Sequence, residues 1–182
     1  MIVEFCRGIT KGRAMPEIRD ATAADLPRIL AITNEAIANT TAVWSFSPAT
    51  LEARAAWLRE RQGRGFPVLV ATDATQVLGF ASFGDFRPWE GYLHTVEHSI
   101  YVAPEAQRRG AGAALLAALV ERAEALGKHV MIGGIEAANE ASLAMHRRAG
   151  FEEVGRLREV GRKFGRWLDL VFMQRTLGGP GG

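Results

Sequence analysis

A short segment in the middle of the chain places glycines and arginines between an apolar strand pattern and a long apolar helix pattern. It holds Gln107, Arg108, Arg109, Gly110 and Gly112 within six residues. Glycines allow the backbone to approach an anion closely because they carry no Cβ atom. The start of a helix adds free N–H donors and the positive end of the helix dipole, and the arginines add charge. The segment therefore predicts a pyrophosphate site.

Two familiar phosphate-binding motifs do not fit this segment. A dinucleotide fingerprint needs glycine or alanine three places after its second glycine, but Leu115 stands there. A P-loop needs a Gly-Lys-Ser/Thr ending, which the sequence lacks. What remains is Gln107-x-x-Gly110-x-Gly112, which resembles the coenzyme A loop of the GNAT superfamily of N-acetyltransferases. Taken alone, these six residues also fit an ordinary glycine-bearing turn before a helix.

A second segment strengthens the resemblance. Asn139 opens a helix pattern that ends in Gly150-Phe151, and the superfamily's second signature has an asparagine that meets the cofactor and a helix that ends in Gly-Phe. From the residues alone, Asn139 is an N-cap and Gly150 a C-cap, so this pattern needs no ligand. Arg148 either reaches a cofactor phosphate or only complements a helix C-terminus. The resemblance implies an acetyl-CoA site formed by Ile100, Tyr101, Val102, Arg108, Arg109, Gly110, Ala111, Gly112, Ala113, Asn139 and Arg148.

Three further segments resemble one branch of the superfamily, the phosphinothricin and methionine sulfoximine N-acetyltransferases. They are residues 83–92, 95–102 and 161–170, and the similarity extends from Ile18 to Leu177. The resemblance implies a homodimer that acetylates the α-amino group of a small amino-acid analogue without a metal. It also implies a substrate-binding set made of Arg87, Pro88, Trp89, Glu97, His98 and Ser99.

Within that set, Glu97 is the candidate catalytic residue. An amine nucleophile arrives mostly protonated, so acetyl transfer needs a group that accepts its proton. Strand alternation places Glu97 on the face opposite Val96 and His98, just before the segment that by resemblance lines the pantetheine arm. The alternative is a structural glutamate, either solvated or paired with an arginine. In the loop before it, Arg87 suits a substrate carboxylate and Trp89 an apolar side chain, although an exposed loop is equally consistent.

The histidines and the single cysteine suggest less chemistry. His146 stands where many superfamily members carry a tyrosine that protonates the departing thiolate, but a packed helix histidine bonded to a backbone carbonyl is the preferred interpretation. His94 and His98 share a strand face without a third ligand, so a metal site is rejected. Cys6 has no base nearby in sequence, which argues against an acyl-cysteine route.

The elements that must position these residues alternate between strand and helix patterns, in the order β-α-α-β-β-β-α-β-α-β-β. The order predicts an α/β fold, and the resemblance makes it a GNAT fold, with a mixed, mostly antiparallel sheet splayed around the cofactor and flanked by helices. Thr22 to Asp25 is a capping box before the first helix, and Ser47-Pro48 is expected to start the second.

Length and composition limit the remaining possibilities. A chain of 182 residues with 48% hydrophobic residues fits one domain, expected over residues 16–177 with an appendage at 1–15 and a flexible tail at 178–182. A net charge of +2 is too small for a nucleic-acid binder. No apolar stretch is long enough for a membrane span, no signal peptide is recognised, and a single cysteine favours the cytoplasm.

The sequence therefore predicts an acetyl-CoA-dependent N-acetyltransferase that acts on a small amino-acid analogue by direct transfer. Two alternatives stay open. The first is a broader amine or protein N-terminal acetyltransferase, which would have the same cofactor site but a different substrate-binding surface. A sensor would bind acyl-CoA without turnover.

Overall fold

One seven-stranded sheet runs through residues 15–178, which are the part of the chain that the computed structural model describes. The predicted appendage with Cys6, and the predicted tail, lie outside these residues except for Met15 and Gly178. The strands are β1 (Glu17–Asp20), β2 (Val68–Thr72), β3 (Val77–Asp85), β4 (Thr95–Val102), β5 (Val130–Glu136), β6 (Glu152–Lys163) and β7 (Arg166–Thr176). The helices are α1 (Leu26–Asn39), α2 (Leu51–Gly63), α3 (Ala111–Ala125) and α4 (Glu140–Arg148).

The sheet order is β1-β2-β3-β4-β5-β7-β6, which confirms the predicted mixed and mostly antiparallel sheet. Among the seven strands of residues 15–178, only β4 and β5 pair in parallel, through Thr95–His98 and Val130–Gly133. Beyond that point β4 continues to Val102 and β5 to Glu136, but their ladder has ended. The two central strands therefore diverge and open a wedge in the middle of the sheet.

Helices cover both faces of the sheet. Because alternate strand residues point to opposite faces, Tyr101 and His98 of β4 mark the two sides. On the Tyr101 side, Trp57 of α2 lies edge-on to Phe80, whose ring is 5.1 Å from that of Tyr101, and α1 packs beside α2. On the other side, His146 of α4 contacts His98. Double coverage explains the apolar runs of the inner strands, since β2 is buried at all five positions and β3 at eight of nine.

The predicted capping box before the first helix is present. The backbone N–H of Thr22 donates to Asp25 Oδ2 at 2.8 Å, although the residues that follow Thr22 form a 3₁₀ turn and α1 begins only at Leu26. Two hydrogen bonds of 2.8 Å from Arg19 hold the Asp25 carboxylate. Mainly for this reason the pKa of Asp25 falls to about 2.

The predicted start of the second helix at Ser47-Pro48 is wrong. The N-cap is Thr50, whose hydroxyl accepts from the Ala53 N–H at 3.1 Å. Before it, the Asn34 side chain binds both backbone groups of Ala49, accepting at 2.8 Å and donating at 3.1 Å. Because the Asn34 side chain occupies both backbone groups of Ala49, the helix begins only after Thr50. No residue near Ala49 in the sequence indicates this contact. Within residues 15–178, no helix is both long and apolar enough to cross a membrane.

Candidate active site

The wedge between β4 and β5 contains a cavity of about 700 Å³. Most of the predicted cofactor and substrate residues line it, and they come from β4, the following loop, the start of α3 and the α4 region. The predicted residues in its lining are His98, Ser99, Ile100, Tyr101, Val102, Arg108, Gly110, Ala111, Gly112, Ala113, Asn139 and Arg148. The fold therefore brings the two sequence signatures, 27 residues apart from Gly112 to Asn139, to one place.

The glycine loop has the geometry that close approach to an anion requires. Gly110 is the N-cap of α3 and has a φ of 85°, a left-handed conformation that L side chains rarely adopt. Gly112 lies in the first turn of α3, where a Cβ atom would stand 3.1 Å from Met145 Sδ of α4. The missing side chains leave the helix N-terminus open to the cavity, so its N–H groups can serve an anionic ligand.

The two arginines of the loop have different surroundings. Arg108 lines the cavity, but Arg109 does not. Arg109 Nη2 instead donates to Asp73 Oδ2 at 3.2 Å, in the turn between β2 and β3. Hydrogen bonds from the backbone and hydroxyl of Thr75, with a smaller effect of Arg109, lower the pKa of Asp73 to about 2. Asp73 is therefore an anion at neutral pH and holds the Arg109 side chain away from the predicted phosphate position.

Glu97 lies at the border of the cavity rather than in its lining. It is half-buried on the face opposite Val96 and His98, as alternation predicted. Its Oε1 is 3.4 Å from the place that a Cβ on Gly134 would occupy, and Gly134 lines the cavity. Burial raises the pKa of Glu97, and the nearby Arg87 guanidinium partly opposes the shift. A carboxylate with a raised pKa is a better proton acceptor than an exposed one.

The ion pairs found among the described residues do not include Glu97. The alternative of an arginine-paired structural glutamate therefore gains no support from the part of the chain that the structure covers. Arg87 acts on Glu97 through its charge, while its own Nη1 donates to the Phe86 carbonyl at 2.9 Å.

The predicted substrate loop of Arg87, Pro88 and Trp89 lies outside the cavity. Arg87 stacks over the Phe86 ring at 4.1 Å, and the Trp89 side chain is 67% exposed. The loop connects β3 to β4, the strand that carries Glu97. Of the predicted substrate residues, only His98 and Ser99 line the cavity itself.

His98 and His146 form a buried pair in the lining of the cavity. Their Nε2 atoms are 3.2 Å apart, and His146 Nδ1 is 2.8 Å from the Ser142 carbonyl. Because a carbonyl only accepts, we assign the His146 proton to Nδ1, and His98 then donates from Nε2. Burial, with a smaller effect of His146, lowers the pKa of His98 to about 3, and burial also lowers the pKa of His146. The packing and the carbonyl bond expected for His146 are present, and His146 also lines the cavity, so this geometry does not decide between a packed histidine and a proton donor to the thiolate.

One wall of the cavity has no counterpart among the predicted residues. Ala36, Thr40 and Ala42, at the end of α1 and just after it, line the cavity, as do Gly134, Ile135 and Glu136 of β5. The Thr41 hydroxyl donates to Glu136 Oε2 at 3.0 Å and joins the two. Small residues at a helix end carry no sequence signal for a ligand, so only the fold reveals this wall. Among residues 15–178, no group of three or more His, Cys, Asp or Glu side chains could hold a metal ion.

Fold and cavity together define a class of protein, and a comparison with known families identifies it. The sequence profile of the Acetyltransferase (GNAT) family matches residues 29–151, which is more than half of the chain. The chain therefore belongs to the GNAT acetyltransferase family.

Individual proteins of known name show which members of the family this chain resembles. The L-methionine sulfoximine/L-methionine sulfone acetyltransferase of Pseudomonas aeruginosa is 56% identical over 161 residues, covering 88% of this chain and 94% of that protein. A Sinorhizobium meliloti phosphinothricin acetyltransferase, solved in complex with acetyl-CoA, is 42% identical with a TM-score of 0.89 over 93% of this chain and 92% of that one. The crystal structure of a ribosomal-protein-alanine N-acetyltransferase from Brucella melitensis is 55% identical with a TM-score of 0.87 over 88% of this chain and 99% of that one.

Proposed function

We propose that this protein is an acetyl-CoA-dependent N-acetyltransferase that acts on the α-amino group of a small amino-acid analogue of the methionine sulfoximine, methionine sulfone or phosphinothricin type. The observation that carries the proposal is the wedge between β4 and β5, which has a glycine loop at a helix start on one side and Glu97 at its border. The names of the relatives support the substrate class.

The residues around the cavity fit acetyl-CoA. The cradle at Gly112, which a side chain would fill, is open to the cavity, and so is Arg108. We assign the pyrophosphate to Arg108 and to the backbone N–H groups of residues 110–113, and further contacts to Asn139 and Arg148. The exposed flank of β4 at residues 100–102 provides backbone groups for the pantetheine amides. When bound, acetyl-CoA supplies an acetyl group activated as a thioester.

Glu97 is the group that we assign to proton removal from the substrate amine. The carboxylate lies on the face of the sheet that α1 and α2 cover, whereas Gly112, in the loop that we assign to the pyrophosphate, lies against Met145 and Val102 on the other face. The acceptor amine therefore approaches the wedge from the Glu97 side. Arg87, whose charge already acts on Glu97, is placed to bind the carboxylate of an amino acid on that approach, with Pro88 and Trp89 beside it.

The contrast between the loop arginines gives a paired prediction. We expect Arg108→Ala to raise the Kd for acetyl-CoA by about 10- to 100-fold, because it removes charge-assisted hydrogen bonds worth about 1.5 to 3 kcal/mol. Arg109→Ala, the matched control, should change the Kd less than about threefold, because Asp73 already holds that side chain. Isothermal titration of both variants measures the difference. An equal loss in the two would contradict the assignment of Arg108.

A thiol-release assay with a panel of acceptors tests the proposed function. Acetyl-CoA is mixed with L-methionine sulfoximine, L-methionine sulfone, phosphinothricin or a peptide with a free N-terminal alanine. We expect turnover with the free amino-acid analogues and little with the peptide. Turnover only with the peptide would favour the second candidate function, a protein N-terminal acetyltransferase, for which the name of the Brucella melitensis relative is the supporting observation.

We also propose that the protein is a homodimer in the cytoplasm. The supporting observation is an apolar surface on the two-stranded ribbon of β6 and β7. Its exposed side chains are Val154, Leu157, Val160, Phe164 and Trp167, each between 44% and 60% exposed. Large apolar side chains that are exposed together on one ribbon suit a protein interface. Sedimentation velocity tests the proposal, and a monomer at micromolar concentration would contradict it.

A further inference from the structure

We propose that Lys163 is a positioning residue for this reaction, which holds residues 40–44 in place as the wall of the cavity on the substrate side. The inference rests on the proposed function, since it concerns the binding of the amino-acid acceptor. Lys163 ends β6 and lies in the segment 161–170 that resembles the branch, outside the two cofactor signatures, and the sequence alone predicted no role for it.

The Lys163 side chain is buried, and its ammonium has three hydrogen-bond acceptors. The residue is 3% exposed. Its Nζ donates to the carbonyls of Ile37 at 2.6 Å and Thr40 at 2.7 Å, and also to the carbonyl of Val43. These contacts use all three N–H donors of a lysine. Burying a charge is very unfavourable unless such partners compensate for lost hydration, so this arrangement specifies the path of the bound backbone.

The three carbonyl groups that Lys163 binds lie at the C-terminal end of α1, where a positive charge is favourable. Ile37 lies in the last turn of α1, where helix carbonyls have no partner within the helix and carry the negative end of the dipole. Thr40 and Val43 lie just beyond the helix end. Lys163, at the end of strand β6, therefore caps the C-terminus of α1 and fixes the direction in which the chain leaves the helix.

The bound segment is held at two further points. Thr41 donates to Glu136 Oε2 at 3.0 Å, and Trp44 Nε1 donates to the Thr41 carbonyl at 2.9 Å. Trp44 packs directly on Gly161 of β6, where a Cβ atom would stand 2.2 Å from the indole ring. Residues 40–44 are therefore clamped between β5 and β6.

This segment lies where the acceptor must enter. Thr40 and Ala42 line the cavity, and they follow α1, which packs with α2 on the Glu97 face of the sheet. The phosphate loop lies on the opposite face. Lys163 itself does not line the cavity, so it acts through the backbone that it binds. Loss of the clamp should therefore affect acceptor binding more than phosphate binding.

The test compares Lys163→Met with Lys128→Met in the thiol-release assay. Lys128 is a control, because its Nζ also donates to a backbone carbonyl, that of Leu93 at 2.7 Å, but Leu93 does not line the cavity, whereas Thr40 does. For Lys163→Met we expect the KM for L-methionine sulfoximine to rise about tenfold or more, with kcat within about threefold and the Kd for acetyl-CoA within about threefold. Lys128→Met should match the wild type in all three.

A second pair of variants tests the clamp with Lys163 in place. Gly161→Ala displaces Trp44, whereas Gly155→Ala on the same strand meets nothing within 4 Å. We expect the first to raise the KM for L-methionine sulfoximine and the second to leave it unchanged. If Lys163→Met does not fold, Gly161→Ala and Gly155→Ala still test whether holding residues 40–44 in place matters for acceptor binding.

The outcomes separate this inference from the proposed function. If the wild-type protein releases no thiol with any acceptor, the proposed function is overturned. The KM effect expected for Lys163→Met is then overturned as well. Active wild-type protein with an unchanged KM in folded Lys163→Met or folded Gly161→Ala overturns only the role of Lys163. A merely structural lysine would lower the melting temperature without separating KM from kcat.

Discussion

The Glu97→Gln variant is expected to lose about 10²- to 10⁴-fold in kcat/KM at pH 7, because the substitution keeps the shape of the side chain and removes the proton acceptor. The loss corresponds to about 3 to 5 kcal/mol in the activation barrier. The Kd for acetyl-CoA should change little, since Glu97 lies outside the lining of the cavity. Steady-state kinetics with L-methionine sulfoximine measures the effect, and Glu121→Gln on the exposed side of α3 is the control.

The pH dependence of the two proteins should differ in a defined way. Burial raises the pKa of Glu97, so kcat/KM of the wild type should fall as the pH drops through a pKa higher than that of an exposed glutamate. The variant lacks this group, and its rate should rise with pH because a larger fraction of the substrate amine is already neutral. The difference between the two proteins should therefore shrink at high pH.

Stability separates a catalytic from a structural glutamate. For a carboxyl whose pKa is raised by burial, the ionised form destabilises the folded state above the unfolded pKa. The neutral glutamine should therefore leave the melting temperature at pH 7 unchanged or slightly higher. A structural ion pair would show the opposite, a lower melting temperature with normal turnover per folded molecule. Near-normal kcat/KM at pH 7 in folded Glu97→Gln would show that another group accepts the proton.

The second large effect is expected at Gly112, where Gly112→Glu should abolish measurable binding of acetyl-CoA. A carboxylate in the first turn of α3 would occupy the cradle and repel the pyrophosphate that we place there. The helix should survive, because an acidic side chain near a helix N-terminus is favourable and the nearest atom, Met145 Sδ, belongs to a flexible side chain.

Isothermal titration with acetyl-CoA and circular dichroism together measure this outcome. Ala117→Glu, at an exposed position of the same helix, is the matched control and should bind acetyl-CoA like the wild type. Wild-type affinity in a folded Gly112→Glu protein would refute the location of the pyrophosphate.

The sequence allowed prediction of the parts of the site that depend on local chain geometry. The glycines of the phosphate loop and the Asn139 cap are defined by the few residues around them, and the Asn139 side chain indeed accepts from the Ser142 N–H at 3.1 Å. Strand alternation was sufficient to place Glu97 opposite His98. The mixed, mostly antiparallel sheet was expected from family resemblance rather than from periodicity, and the structure added that a single pair, β4 and β5, is parallel among the described strands.

The parts that could not be predicted depend on contacts between distant residues. Asp73 holds Arg109 across 36 positions of sequence, and nothing near Arg109 indicates that partner. Lys163 binds the Ile37 carbonyl across 126 positions. The start of α2 was misplaced for the same reason, since the Asn34 amide of α1 decides the conformation of Ala49. Local propensity is a weak guide wherever tertiary hydrogen bonds select the backbone path.

Product analysis tests the proposed activity most directly. Wild-type protein is incubated with acetyl-CoA and L-methionine sulfoximine, and free coenzyme A and N-acetylated amino acid are quantified by mass spectrometry. We expect both products in equal amounts, with the acetyl group on the α-amino nitrogen and no product from Gly112→Glu. Protein that binds acetyl-CoA in titration yet forms no acetylated product with any acceptor of the panel would contradict the proposal and identify a non-catalytic acyl-CoA binder.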